Sequence, residues 1–310
     1  MGKVVYLSDV EFDTNTVITI GTFDGVHEGH RSIIEKVVTH ARNRESRSVL
    51  VTFDPHPRDI LNPGAAGVKL LTTLEERAEI LSELGVDLMV VIPFNRDFSL
   101  LSSEEFIRDV IFKKIGVAEF IIGYDHQFGR NREGTIETLQ LLSKSLGFDV
   151  HVVQAHEIQS ETVSSTLVRR KLEEDGNIIL ARNFLGRPFR LQGTVIHGDK
   201  RGKTIGYPTA NLRPIEKRKI IPKNGVYAVD VQIEGMSGTW RGMMNIGIRP
   251  TFKNDMQQTI EVHIIDFDED IYGKVVELQF LKRIRDEQNF SGIEALKTQL
   301  HRDRDACLQV

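Results

Sequence analysis

The first half of the chain alternates apolar runs with amphipathic stretches. Near-continuous apolar runs begin at Val17 (VITI), Ser48 (SVLVTF), Asp87 (DLMVVI), Ala118 (AEFIIG) and Asp149 (DVHVVQA). Their starts lie 31, 39, 31 and 31 residues apart, which leaves room for a strand, a crossover helix and a return. Runs this apolar predict strands covered on both faces. Between them, Thr73-x-x-Glu76 and Ser102-x-x-Glu105 open helical stretches as capping boxes, and Gly85, Gly116 and Gly147 stand where helices should stop. The pattern predicts a parallel, doubly wound α/β sheet to about residue 155. Two helices should then span Ser164–Leu185, before the break at Gly186–Pro188.

Beyond that break the period changes to two. FRLQGTVI, GVYAVDVQIEG, GTWRGMMNIGI, TIEVHIIDF and KVVELQFL follow one another with no helical pattern between them. Tyr227, Val229, Val231 and Ile233 fall on one face of their run, with Asp230 and Gln232 on the other. Gly235–Gly238 reads as a hairpin connection, and Ser291-x-x-Glu294 as the cap of a final helix. The expectation is a small antiparallel β-barrel closed by a C-terminal helix. The domains predicted are residues 1–185 and 186–310.

Composition agrees with two domains: 310 residues, 40% hydrophobic and 27% charged. The formal charge of −4 speaks against a nucleic-acid-binding surface. It divides unevenly, −8 over residues 1–185 and +4 over 186–310. No window resembles a membrane span, and Met1–Val10, with Lys3 and Asp9, does not read as a secretory signal. A single cysteine, Cys307, rules out an internal disulfide and points to the cytoplasm.

Two groups of residues carry candidate chemistry. In the first, VITI runs into Gly21-Thr-Phe23-Asp24-Gly-Val-His27-Glu-Gly29-His30, and a helical stretch follows. A strand, a Gly-rich turn and a helix start form an anion site at the carboxyl end of a parallel sheet. Two histidines three apart can aim ring N–H groups at one phosphate. G-x-G-x-x-G is missing, which disfavours a dinucleotide-dependent dehydrogenase.

In the second, Gly198 and Gly202 have three residues between them where a Walker A loop needs four, and Pro208 interrupts any helix, so a P-loop is rejected. Gly198, Lys203 and Thr204 remain as a glycine- and lysine-rich flap for phosphate. Thr209 and Asn211 alternate along an extended segment, so their oxygens can face one side as hard ligands for Mg2+. Glu261 alternates with Ile260 and Val262 and so projects away from the apolar stripe. Asp266, Asp268, Asp270 and Glu277 mimic EF-hand spacing, but Ile271 stands where glycine is required, so calcium is rejected.

The histidine loop resembles the H-x-G-H element of nucleotidylyltransferases. Three further segments fit: Thr52-Phe-Asp-Pro-His-Pro57, the run Gly123-Tyr-Asp125-His-Gln-Phe128 to Gly134, and Val163-Ser164-Ser165-Thr166-Leu-Val-Arg169. Together they resemble the FMN adenylyltransferase domain of bacterial bifunctional riboflavin kinase/FAD synthetases. That family usually has Ile at Val163 and commonly Glu at Asp54. Pro208-Thr209-Ala210-Asn211 is similar to the P-T-A-N element of riboflavin kinases, and Asn245-Ile-Gly247-Ile-Arg249-Pro-Thr251-Phe to their segment near flavin and nucleotide.

The resemblance implies a Rossmann-like nucleotidylyltransferase domain followed by a riboflavin kinase barrel. ATP and Mg2+ would serve two reactions, riboflavin to FMN and FMN to FAD with release of pyrophosphate. His27 and His30 would hold the triphosphate, with Gly21, Phe23, Asp24 and Gly29 forming their loop. Ser164, Ser165, Thr166 and Arg169 would grip the β- and γ-phosphates. Asp125, Phe128 and Arg132 would lie where adenine or flavin stacks. Glu261 would be the catalytic carboxylate, Thr209 and Asn211 the Mg2+ ligands, and Asn245 and Arg249 would line the second site. Partners implied are small molecules, with no nucleic acid and no membrane, and nothing in the sequence speaks for or against self-association. Two rivals stand at this point: a single-activity nucleotidylyltransferase with a degenerate barrel, and a flavin carrier without catalysis.

Overall fold

The strand β2, Thr16–Ile20, is buried at every position, as its unbroken apolar run requires. In a computed structural model of the chain it pairs in parallel with β3, Arg47–Asp54, on one side and β5, Glu119–Gly123, on the other. β4, Leu88–Pro93, and β6, Asp149–Val153, extend the sheet outward. The structure describes residues 3–62, 64, 67–155, 157–158, 161–198, 201–250 and 256–310; the side chains of 201, 203, 249, 250, 256 and 257 lie outside that description.

The sheet runs β1-β4-β3-β2-β5-β6. β1, Lys3–Tyr6, pairs with the far side of β4 and has no strong signal in the sequence, being four residues long and mostly exposed. Alternate strand residues feed two cores. Ile18, Val49, Val51, Val90 and Phe120 meet Phe106, Ile107, Ile111 and Leu139 on one face. Leu50, Met89 and Val91 meet Ile34, Val38 and Leu81 on the other. Both capping boxes form, at Thr73 and at Ser102. Gly147 caps its helix left-handed, at φ 82°. The chain winds outward from β2 through β3 to β4, then starts again beside β2 with β5 and β6. The winding therefore reverses between β2 and β5, and the crevice at their carboxyl ends is where such sheets bind ligands.

Contacts divide the chain into Met1–Ser165 and Thr166–Val310. The helix Ile178–Leu185, which the sequence reading counts with the first domain, packs on barrel strands of the second unit.

That unit is a closed antiparallel barrel in the order β10-β13-β12-β11-β14-β9. Its strands are β9 Phe189–Ile196, β10 Ala210–Pro214, β11 Gly225–Ile233, β12 Trp240–Pro250, β13 Met256–Ile264 and β14 Val275–Arg285 (β7, Glu157–Ile158, and β8, Glu161–Thr162, form a separate pair in the first unit). β9 alternates buried and half-buried residues along its whole length. β11 is buried on both faces over most of its length. Tyr227, Val229, Val231 and Ile233 form the alternate set predicted, while Val226 and Ala228 lie with Cys307 of the C-terminal helix Ile293–Leu308. Burial pushes the Cys307 thiol up to about 12. Arg285 clamps this helix to β14 with three hydrogen bonds to the buried Asp303 carboxylate, at 3.0, 3.0 and 2.7 Å. The predicted Ser291 cap does not form. The helix starts at Ile293 and Gly292 takes the cap position without a side-chain bond, so Ser291 falls one residue too early.

Candidate active sites

The first site grows out of the turn after β2. Phe23 and Val26 hold positive φ of 46° and 40° around Gly25 at 87°, so the loop is tightly coiled. Asp24 holds it in that shape. Fully buried, its carboxylate accepts the backbone N–H groups of Leu71 (3.0 and 3.1 Å) and Thr72 (2.9 Å) and the Thr72 hydroxyl (3.2 Å). The Gly25 N–H donates to Thr72 Oγ1 at 3.0 Å. Buried Arg77 sits 3.9 Å from Asp24 and donates to Thr52 Oγ1 at 2.8 Å. Asp24 and Phe23, which the resemblance places in the loop of the two histidines, are buried here, and Asp24 acts through the loop.

The loop delivers His27 as the N-cap of α1, Glu28–Asn43. The Nδ1 of His27 accepts the His30 backbone N–H at 3.3 Å. With Nδ1 accepting, the neutral ring carries its proton on Nε2. The His30 ring stacks on His27 with centroids 3.6 Å apart and planes 17° apart, and Phe23 packs against His30, tilted by 59°, at 4.9 Å. Space is tight around this pair. A Cβ on Gly29 would come within 3.3 Å of the His27 ring and 3.5 Å of the Val163 carbonyl; one on Gly21 would press on Phe23 at 3.0 Å. Val163 leads into Ser164 and Ser165, and the Ser165 hydroxyl donates to the Asp24 carbonyl at 2.8 Å. The structure thus brings the histidine loop and the Ser164–Ser165 segment together. Thr166 and Arg169 follow on the helix Ser165–Arg170.

Beside this loop lies the turn after β5. Asp125 and Arg132 are exposed there, and Gly129, Asn131 and Arg132 have φ of 76°, 53° and 60°. Phe128 is different. It is buried in the core with Phe106, and its backbone bridges Gly134. Its apolar ring packs into the core beneath the turn, while Asp125 and Arg132 stay exposed.

The second site forms on three adjacent strands of the barrel. Asn211 on β10 and Asn245 on β12 stand in register with Glu261 on β13 between them. Thr209, just before β10, donates its hydroxyl to Glu261 Oε2 at 3.1 Å. A Cβ on Gly198 would run into the Asn211 amide, and one on Gly202 would lie 3.5 Å from Thr209 Oγ1. The glycine-rich segment therefore lies against the same oxygens. Thr204 is exposed on the short helix Arg201–Thr204. Lys203 and Arg249 have side chains outside those described, and Thr251 lies outside the described residues.

Tyr207, His263 and His301 were not singled out from the sequence, and they place Thr209. His263 Nδ1 pairs with the Pro208 carbonyl at 2.8 Å, and the Tyr207 hydroxyl with His301 Nδ1 at 2.8 Å. Burial pushes the His263 imidazole below its usual range, against the pull of the Pro208 carbonyl.

Two family patterns cover the chain. FAD synthetase matches residues 9–167, and riboflavin kinase matches 185–310. A bifunctional riboflavin kinase/FMN adenylyltransferase from Listeria monocytogenes is 40% identical over 306 residues, 97% of this chain and 96% of that protein. The chain belongs to the bifunctional riboflavin kinase/FMN adenylyltransferase family. The Escherichia coli and Bacillus subtilis proteins of that name are 39% and 35% identical, over 93% and 96% of this chain and 90% and 93% of theirs. A solved structure described as a macrolide-efflux protein from Streptococcus pneumoniae superposes with a TM-score of 0.90 at 31% identity, over 99% of both chains. Among the described residues no helix is long and apolar enough to cross a membrane.

Proposed function

We propose that His27 and His30 are the reacting-phosphate clamp of FAD formation and that Glu261 is the general base of FMN formation. The chain is a bifunctional enzyme that phosphorylates riboflavin to FMN and adenylylates FMN to FAD, using ATP in both steps. The observation that carries the assignment is the register of Asn211, Glu261 and Asn245 on three adjacent strands, with the Thr209 hydroxyl on the same carboxylate.

At the barrel, Glu261 accepts the proton of the ribityl 5′-hydroxyl as that oxygen attacks the γ-phosphorus of ATP, the bond to the bridging oxygen breaks and ADP leaves. Hydroxyl, amide and carboxylate oxygens suit Mg2+, and Thr209 and Asn211 would hold it. The ion neutralises phosphate charge when bound. Gly198, Lys203 and Thr204 would cover the phosphates, with Asn245 and Arg249 beside the flavin and nucleotide.

At the sheet edge no protein nucleophile is needed. An FMN phosphate oxygen attacks the α-phosphorus of ATP and pyrophosphate leaves, so catalysis rests on positioning and charge stabilisation. The Nε2–H of His27 donates to the developing charge, while the stacked His30 holds its ring. Ser164, Ser165, Thr166 and Arg169 take the leaving phosphates, and Asp125 and Arg132 border the base or flavin. The functional domains are taken as 1–185 and 186–310, and the setting as the cytoplasm, where ATP is at hand; nucleic acid has no part in either reaction.

A riboflavin-plus-ATP time course resolved by chromatography tests both sites. FMN should rise first and FAD should follow with pyrophosphate. Full FAD formation by a His27→Ala/His30→Ala variant would defeat the first assignment, and full FMN formation by Glu261→Gln the second. Riboflavin binding with no turnover would mean a carrier.

A further inference from the structure

The far end of α1 carries a second cluster, against β5 and β6. Glu119 opens β5, His151 lies on β6, and His40 sits in the last turn of α1. One oxygen of Glu119, Oε2, lies 2.6 Å from His40 Nδ1 and 3.2 Å from His151 Nε2. The other, Oε1, accepts a hydrogen bond from Arg44 at 3.0 Å. The His40 and His151 rings meet edge to face with centroids 4.6 Å apart. Three ligand atoms from three separate elements thus lie within 4.8 Å of one another, the single such grouping of His, Cys, Asp or Glu among the described residues. An open pocket of about 640 Å³ borders it, lined by Glu35, Lys36, Thr39, His40 and His151 among others.

We propose that His40, Glu119 and His151 form a site for a divalent transition-metal ion, with Zn2+ the best match. Two imidazoles, one carboxylate and an open side toward the pocket make a three-ligand site with room for a fourth, non-protein ligand. Ligand atoms at about 2.0–2.2 Å from a tetrahedral zinc lie about 3.3–3.5 Å apart. The His151–Glu119 pair already has nearly that spacing, and the His40–Glu119 pair must open by less than about 1 Å. The proton shared by His40 Nδ1 and Glu119 must leave, and Nε2 of the same ring can carry it. Arg44 holds the oxygen that does not ligate, which fixes the carboxylate's orientation from outside the ligand set. Mg2+ favours oxygen ligands and would not compete here. Ten residues of α1 separate His30 from His40, about 15 Å of helix. The site is therefore distinct from the catalytic clamp.

The test is titration of the full chain with Zn2+ alone by calorimetry, repeated with Co2+ followed by its visible absorption. Wild type should bind one equivalent more than a His40→Gln/His151→Gln variant. The Co2+ spectrum should show ligand-field bands that the variant lacks. FAD and FMN formation should stay unchanged in the variant, which also shows that it folds. His151→Gln alone, on a side chain 44% exposed at an edge strand, should weaken the extra equivalent at least about tenfold without disturbing packing. Equal stoichiometry and affinity in wild type and both variants would overturn the proposal and leave an ion-paired histidine–glutamate–histidine cluster. So would the absence of any Zn2+ binding by the wild type.

Discussion

Thr209 donates its hydroxyl to Glu261 Oε2 at 3.1 Å, across 52 residues of chain. The bond orients a carboxylate that stands on the polar face of β13. Glu261→Gln keeps the shape and the bond from Thr209 but removes the base. FMN formation should fall about 10²–10⁴-fold. FAD formation from added FMN should be unchanged, because that reaction uses the other unit. Thr209→Val should lower FMN formation and raise the Mg2+ concentration needed for half-maximal rate. Steady-state rates on riboflavin and on FMN, each against Mg2+, read all four quantities.

His27 does two jobs, and substitutions can separate them. As N-cap it accepts the His30 N–H; as proposed clamp it presents Nε2–H. His27→Ala loses both, costing about 1 kcal/mol of stability for the cap and about 10²–10³-fold in FAD formation for the donor. His27→Asn restores a good cap but not the ring donor. It should melt like wild type yet stay slow. A variant that regains activity along with stability would show that the ring matters only as a cap.

Asp24 and Arg77 form a buried support beneath this loop. Asp24→Ala strips the acceptor from three donors and leaves Arg77 in the interior without its carboxylate. The first unit should lose about 3–5 kcal/mol. Adding Arg77→Met should recover part of that loss, because the buried charge goes with it. Denaturant unfolding of the single and double variants measures the coupling, and strict additivity would mean that the pair does not interact.

The residues that carry the chemistry were legible because each lies in a short contiguous segment: the histidine loop, the Thr209–Asn211 run and the alternating β13. What holds them was not. Thr72 reaches Asp24 across 48 residues, and His263 reaches Pro208 across 55, pairings that only the folded chain creates. Phe128 shows the same limit. The loop pattern places the Phe128 ring where a base or flavin could stack, and only the folded chain shows that ring buried beside Phe106. β1, at four mostly exposed residues, is too short for periodicity to show, and it is held by its pairing with β4.

The burial of His263 makes the second unit sensitive to acid. Burial pushes the imidazole below the value of about 6.5 that it has in the unfolded chain. The unfolded state therefore takes up the proton first as pH falls. The stabilisation is fully present above about pH 6.5 and is lost on acidification below it. Asp266 and Arg304 also act on this ring, the first favouring and the second opposing its charge, and Tyr207 packs against it at 5.1 Å. His263→Gln removes the titrating group and can still donate to the carbonyl. The urea midpoint of the wild-type second unit should drop between pH 7.5 and pH 5, and that of the variant should drop less. FMN formation should follow the same profile, since the ring holds the backbone next to Thr209. Parallel curves for the two proteins would place the acid sensitivity elsewhere.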